Sequence, residues 1–245
     1  MPWEIFEREA SGYEGWYDTP RGRRADQAEQ SLLAWLLGWF PDAHRVLEVG
    51  SGSGHFTRWL SGRGFSAIGL DRSPAMLRAS RALNGSPCLL ADAHRLPVRD
   101  GAVDLVVLVT TLEFLERPGL ALQESVRAAN RGLALVALNR WSLGAVSRRW
   151  GPQSRGALLA GAHDRSLPRL RREIRTAAGG RLRRMHWRTA LLPRPFHRLT
   201  GAVPCGDVLG LAVQLESQRA PPAPRRARGA GAGPWSRRGL RRRGS

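Results

Sequence analysis

Val46-Leu47-Glu48-Val49-Gly50-Ser51-Gly52-Ser53-Gly54 reads as a short apolar strand carrying one acid, followed by glycines at every second position. Glycine lacks a Cβ, so a ligand can lie almost on the backbone. A strand that feeds such a loop into a helix delivers that ligand to the carboxyl edge of a parallel sheet. The stretch therefore predicts a nucleoside-type cofactor site. In the dinucleotide fingerprint G-x-G-x-x-G the third glycine falls five residues after the first. Here Gly54 falls four after Gly50, which argues against a nicotinamide dehydrogenase.

Outward from the loop, short apolar runs alternate with amphipathic ones. Strands are expected at 45–49, 66–70, 86–90, 103–109 and 132–138, and helices at 24–39, 54–62, 74–83 and 119–129. Ser73-Pro74 supplies an N-cap and a first-turn proline to the third of these helices. Past 139 the pattern loosens until a helix at 167–178, closed by Gly179-Gly180, and two further strands at 182–191 and 208–215. The alternation predicts an α/β fold, a doubly wound, mostly parallel seven-stranded sheet with helices on both faces. Residues 1–23 read as an N-terminal cap segment, 24–216 as the main domain with a lid or acceptor insert at 139–166, and 217–245 as a tail. That tail holds nine arginines and no acid, too little apolar surface to offset the entropy of ordering, and is expected to be disordered.

With 245 residues the chain can bury one sizeable α/β core. The formal charge of +19 is unevenly spread: residues 1–120 carry 13 Arg against 15 acids, and residues 121–245 carry 26 Arg against 5. All 39 basic residues are arginine, a bias that GC-rich coding would also produce. Cys88 and Cys205 fit no metal or redox spacing, no metal site is expected, and Cys88 lies in a run that reads as buried. The N-terminus carries Glu4, Glu7 and Glu9 in place of a basic segment followed by an apolar one, and no apolar run approaches about 18 residues. Free thiols in a reducing cytoplasm are the expectation.

Further motifs fall at successive strand ends: Gly69-Leu70-Asp71-Arg72-Ser73, then Ala91-Asp92-Ala93-His94-Arg95-Leu96-Pro97, then Asp104-Leu105-Val106. An acid some 20 residues after a glycine loop suits both ribose hydroxyls. In this order the motifs resemble the class I S-adenosylmethionine-dependent methyltransferases, in particular the group that includes the quinone-biosynthesis C-methyltransferases, over about residues 24–138. The resemblance implies S-adenosylmethionine as cofactor and a small-molecule methyl acceptor. It places Glu48, Gly50, Gly52 and Gly54 at the methionine end, Asp71 with Arg72 at the ribose, Asp92 and Ala93 at the adenine, and Val109 and Thr110 facing the sulfonium. Tyr13-Glu14-Gly15-Trp16-Tyr17-Asp18-Thr19-Pro20 resembles a stretch in which an aromatic covers the cofactor, and Tyr13 is the residue for that role. Where the group often carries a His-His or Glu-His pair after the fourth strand, this chain reads Thr111-Leu112-Glu113-Phe114-Leu115.

Methyl transfer from a sulfonium is an in-line displacement that positioning alone can accelerate. A base is needed only for a poorly acidic nucleophile, and Glu113, His94 and His163 are the candidates. The blander reading is favoured for each histidine as a solvated or hydrogen-bonded bystander, for Asp104 as a turn residue, and for Trp3, Trp35, Trp39 and Trp59 as packing aromatics. The arginines of the second half, interleaved with Trp141, Trp150 and Trp187, could recruit RNA, which would suit a catalytically silent module of the same fold. Their spread over the sequence without an RNA-binding motif favours a solvated surface.

Overall fold

The computed structural model describes residues 4–83, 87–142, 162–191 and 205–218. Its strands are β1 (Arg45–Val49), β2 (Ser66–Asp71), β3 (Cys88–Leu90), β4 (Val103–Val109), β5 (Ala129–Leu138), β6 (Leu182–Ala190) and β7 (Val208–Leu215). They form one sheet in the order β3-β2-β1-β4-β5-β7-β6. The first five are parallel, with Leu47 level with Ile68 on one side and Val106 on the other. β7 enters antiparallel between β5 and β6, so the sheet is mostly parallel, as the alternation predicts. From β1 the chain winds outward through β2 and β3, then returns to add β4 and β5 on the other side. The carboxyl ends of β1 and β4 therefore flank the switch point where open α/β sheets leave a crevice.

The helices are α1 (Glu4–Glu9), α2 (Pro20–Leu37), α3 (His55–Gly62), α4 (Pro74–Ala82), α5 (Pro118–Ala128) and α6 (Leu167–Ala178). Successive side chains of a strand point to opposite faces, and the core divides accordingly. Val46, Leu105, Val107, Ala134 and Val136 pack with Leu33 and Leu36 of α2 and with Phe56 and Leu60 of α3. Leu47, Val106, Leu108, Leu133 and Leu135 pack on the other face with Leu122 and Val126 of α5 and with Leu170 and Ile174 of α6. Both faces being covered, β4 and β5 read as near-continuous apolar runs. Asp104 has the structural role: its Oδ2 accepts from the backbone N–H groups of His44 and Arg45, pinning the start of β1.

Several expectations shift. α2 begins at Pro20 and not at 24, because the Thr19 Oγ1 accepts from Gly22 N–H at 2.9 Å and the proline fills the first turn; the division at residue 23 falls inside this helix. α1 carried no signal strong enough to read. β5 begins three residues before the expected 132. β3 is a three-residue edge strand, which leaves Cys88 half-buried and not buried as expected, and Leu90 61% exposed. Both cysteines are free thiols. Most of the expected insert, residues 143–161, and the tail from 219 lie outside the described residues. Ser217 and Gln218 are described, and both are hydrogen bonded to the Asn130 side chain. Among the described residues no helix is long and apolar enough to cross a membrane.

Candidate functional site

The crevice at the carboxyl ends of β1 and β4 holds a pocket that runs from β3 across the sheet to β7. Its floor begins with the glycine loop. Gly50, Gly52 and Gly54 have φ of 75°, 53° and 79°, a left-handed run in which L side chains are strained. A Cβ on Gly50 would lie 2.3 Å from the Thr111 side chain and one on Gly54 2.5 Å from Ser80 Oγ, so those glycines serve the packing of the loop. A Cβ on Gly52 would meet only Met76 Sδ at 3.9 Å. The backbone at Gly52 thus faces open pocket, as a ligand lying on the chain requires.

Asp71 at the end of β2 holds this loop. Its Oδ2 accepts from Gly52 N–H at 2.7 Å and its Oδ1 from Ser73 N–H at 2.8 Å, so one carboxylate joins the ends of two crossovers. Burial pushes its pKa above the ordinary value, and the two N–H groups oppose that shift. Arg72 lines the pocket beside it, 3.7 Å from Glu116. Asp92, at the end of β3, accepts at Oδ1 from His94 N–H at 2.9 Å and contacts His94 Nδ1 at 2.6 Å. Partial burial opposes its ionisation, yet these bonds hold its pKa below the usual carboxylate value. Ala93 and His94 line the pocket with it.

At the end of β4 stand Val109, Thr110 and Thr111. Thr110 has φ 47° and Leu191, also in the wall, φ 61°; these are the non-glycine residues with positive φ among those described, and both face the pocket. Such strain persists where surrounding structure imposes it and clusters at ligand sites. Thr111 Oγ1 donates to Val49 O at 3.0 Å, clamping β4 to β1 beneath the glycine loop. The roof is the N-terminal segment. Phe6, Tyr13, Trp16 and Tyr17 line the pocket from above, joined edge to face, with Phe6 continuing onto Phe114 at 4.7 Å. Burial pushes the Tyr13 phenol up to about 12.

The segment is fastened at two acids. Glu7 accepts at Oε2 from Ser73 Oγ at 2.5 Å and from Ala75 N–H at 3.2 Å, at the N-terminus of α4. Glu14 accepts at Oε1 from Ser53 Oγ and from Arg58 at 3.0 Å. Tyr17 stacks on His55 at 3.9 Å, and His55 contacts Asp26 of α2 at 2.7 Å.

Of the residues expected at a cofactor, Tyr13, Gly50, Gly52, Asp71, Arg72, Asp92, Ala93, Val109 and Thr110 come together around this pocket. Glu48 and Gly54 lie below it. Glu48 accepts from Thr57 Oγ1 of α3 in the core, where burial pushes its pKa up to about 8. The expected bases are scattered. Glu113 is fully buried, its Oε1 accepting from Leu138 N–H at 2.6 Å, and burial pushes it up to about 7. It is outside the lining, in a turn that packs inward. His163 is exposed and contributes its backbone N–H to Glu113 O. His94 lines the pocket at the β3 end, but Arg117 N–H approaches its Nε2 at 3.3 Å, which leaves the ring proton on Nδ1 towards Asp92. Sequence reading missed Glu29, Leu191 and Asp207, all of which line the pocket. Glu29 alone had a legible signal, an acid on the apolar stripe of α2.

Residues 47–137 match the family model described as a methyltransferase domain. An uncharacterized methyltransferase of Mycobacterium tuberculosis is 34% identical over 113 residues, 46% of this chain and 44% of that protein. A malonyl-[acyl-carrier protein] O-methyltransferase of Methylococcus capsulatus is 30% identical over 149 residues, 58% of this chain and 52% of that protein. The chain thus spans about half the length of the curated relatives it matches. In fold, it is similar to an S-adenosylmethionine-dependent methyltransferase of Thermotoga maritima, with a TM-score of 0.70 at 24% identity over 87% of this chain and 99% of that one. Residues 47–137 are thus similar to a methyltransferase domain, and the sheet has the fold of a solved S-adenosylmethionine-dependent methyltransferase.

Proposed function

We propose that this protein binds S-adenosylmethionine across the carboxyl ends of β1 to β4 and transfers its methyl group to a small molecule held at the β5–β7 end of the pocket. The observation that carries the reading is the open backbone face at Gly52, held by the Asp71 carboxylate. Gly50 and Gly52 take the methionine end, and Asp71, with lone pairs beyond those used by Gly52 and Ser73, takes the ribose hydroxyls. Asp92 and the backbone at Ala93 take the adenine, Val109 and Thr110 stand at the sulfonium, and Tyr13 covers it. The cofactor supplies a methyl group activated by a positively charged sulfur. The chain's share is to align the acceptor with that methyl and exclude water, which the aromatic roof and apolar wall favour. A small acceptor fits a pocket roofed by residues 6–17. The motif order that resembles the quinone-biosynthesis C-methyltransferases names no residue at the acceptor end.

Isothermal titration with S-adenosylmethionine and S-adenosylhomocysteine tests the reading: at least one should bind to the folded protein, and silence from both would overturn it. Asp71→Ala should weaken the affinity at least about tenfold, as expected when charge-assisted hydrogen bonds are lost. Unchanged affinity would remove Asp71 from the ribose.

A further inference from the structure

The sheet has two edges, and they are finished differently. At one, β6 carries Arg183, Arg184 and Arg188 along its length, and charges of this kind keep a free edge from pairing with another chain. At the other, β3 is Cys88-Leu89-Leu90 and carries none. Gly69 N–H donates to Pro87 O at 2.9 Å and Ala91 N–H to Asp71 O at 3.0 Å, so residues 87, 89 and 91 turn their backbone groups towards β2. Those of Cys88 and Leu90 therefore turn outward, as alternate residues of a strand do. Large apolar side chains gather at the same edge. Ile68 is 37%, Leu83 43%, Leu89 41% and Leu90 61% exposed, and all four belong to β2, β3 or the end of α4. The cause lies in the path of the chain. Ile68 is level with Leu47 and Leu89 with Leu70, which puts Ile68 and Leu89 on the sheet face that α5 and α6 cover further along. The crossover from β3 to β4, residues 91–102, contains no helix to cover them, although parallel strands are ordinarily covered on both faces.

We propose that the β3 edge is a docking site for an extended segment of another protein, added as an eighth strand, with a short apolar centre flanked by acidic residues. Cys88 and Leu90 supply the main-chain hydrogen bonds, and Ile68 with Leu89 on one face and Leu90 on the other supply the apolar contacts. Charge selects the segment. Residues 72–99 carry Arg72, Arg78, Arg81, Arg95 and Arg99 against one acid, Asp92, which is turned to His94 at 2.6 Å. Arg72 and Arg78 have acids within reach, Glu116 at 3.7 Å and Glu7 at 3.6 Å, while Arg81 on α4 and Arg95 and Arg99 in the crossover are exposed. A second copy of this chain would bring the same arginines against these and be repelled. Size points the same way: three edge residues and four apolar side chains fall short of the about 800 Å² that each partner buries in a stable dimer. An extended segment needs less, because its main chain is hydrogen bonded along the edge. None of Ile68, Leu83, Leu89 and Leu90 lines the pocket, so the docking edge is separate from the cofactor site.

The probe is the end-blocked peptide Glu-Glu-Val-Ile-Val-Glu-Glu, titrated into the full chain at low salt and followed by amide NMR. It should bind at least about tenfold tighter than Lys-Lys-Val-Ile-Val-Lys-Lys, and tighter by a similar factor than the acidic peptide N-methylated at its three apolar residues. Exchange of the Cys88 and Leu90 amides with solvent should slow at least about tenfold when the acidic peptide is bound. Leu90→Ala and Arg81→Glu, both at exposed positions, should each weaken binding several-fold and leave the melting temperature within about 2 °C. Absence of binding at about 1 mM acidic peptide overturns the proposal. Equal binding of the acidic and basic peptides, binding that survives N-methylation, or binding that leaves the Cys88 and Leu90 amides exchanging as before does the same. So does sedimentation of the chain alone as a dimer that Leu90→Arg dissociates, since the edge then belongs to a second copy.

Discussion

Gly52 and Gly54 stand two positions apart in one loop and answer to different constraints. A methyl group on Gly52 enters open pocket, whereas one on Gly54 meets Ser80 Oγ at 2.5 Å. Both residues have positive φ, so alanine at either costs about 1–2 kcal/mol of backbone strain. Gly52→Ala should therefore melt only a few degrees lower but bind S-adenosylmethionine at least about tenfold more weakly. Gly54→Ala should lose more stability, part of it recovered by adding Ser80→Ala. Equal binding losses in the two variants would mean that the loop as a whole, and not its open face, sets affinity. Glu48 makes a second prediction at this scale. Its pKa is raised to about 8 by burial, against 4.5 when exposed. The folded state then binds more protons than the unfolded one between those values, and stability falls as pH rises through that window. Glu48→Gln keeps an acceptor for Thr57 without the charge. The variant should melt above the parent at pH 8.5, with the gap shrinking towards pH 5. The opposite trend in thermal melts would show that Glu48 is ionised and stabilised in the fold. The strand, the glycines and Asp71 were legible because each obeys a spacing rule. Leu191 and Asp207 were not, nor was the clamping role of Thr111, because nothing in a local pattern says that a threonine will clamp two strands or that a leucine will take a left-handed turn.

The N-terminal segment is the element that the sequence left least defined, and it closes the pocket. α1 has six residues and buries none fully, so its place depends on tertiary contacts: Glu7 against Ser73 and Ala75, Glu14 against Ser53 and Arg58, and the Tyr17 stack on His55. Short helices lack the propensity to form alone, which explains why the periodicity of residues 4–9 gave no signal. A cofactor under this roof leaves only as fast as the roof opens. Glu14→Ala removes the fastening over the glycine loop while sparing every pocket-lining residue. Stopped-flow displacement should show cofactor dissociation several-fold faster than in the parent. The association rate should change little, and the melting temperature should fall by a few degrees, as for the loss of one partly exposed ion pair and of the acceptor for the buried Ser53 hydroxyl. An unchanged dissociation rate would show that the aromatic contacts alone hold the roof.

At the scale of the whole molecule, β1 to β5 were legible because their apolar runs are bounded by turn residues and separated by helices. The insertion of β7 between β5 and β6 left a trace in composition: Val208–Leu215 is apolar along its length, as an interior strand must be, whereas Leu182–Ala190 alternates with arginines, as an edge strand can. The direction of β7 left none, since apolar composition reports burial and not orientation. The charge split of the sequence does not correspond to a division of the fold, because the sheet draws strands from both halves. The boundary between core and tail does need moving. Glu216 N–H donates to Arg181 O at 2.7 Å, Ser217 Oγ and Gln218 N–H each donate to Asn130 Oδ1 at 3.0 Å, and Gln218 Nε2 donates to Arg127 O at 3.1 Å. Asn130 is 5% exposed at the start of β5, and removing Ser217 and Gln218 takes two donors from its Oδ1 at a cost of about 1–3 kcal/mol. Ending the chain after Gln218 should leave the melting temperature and cofactor binding unchanged. Ending it two residues earlier, after Glu216, should lower the melting temperature by about 2–10 °C. Equal melting of the two truncations would mean that water replaces the lost partners of Asn130, and a large loss from the longer truncation would show that the arginine-rich tail also contributes to the fold.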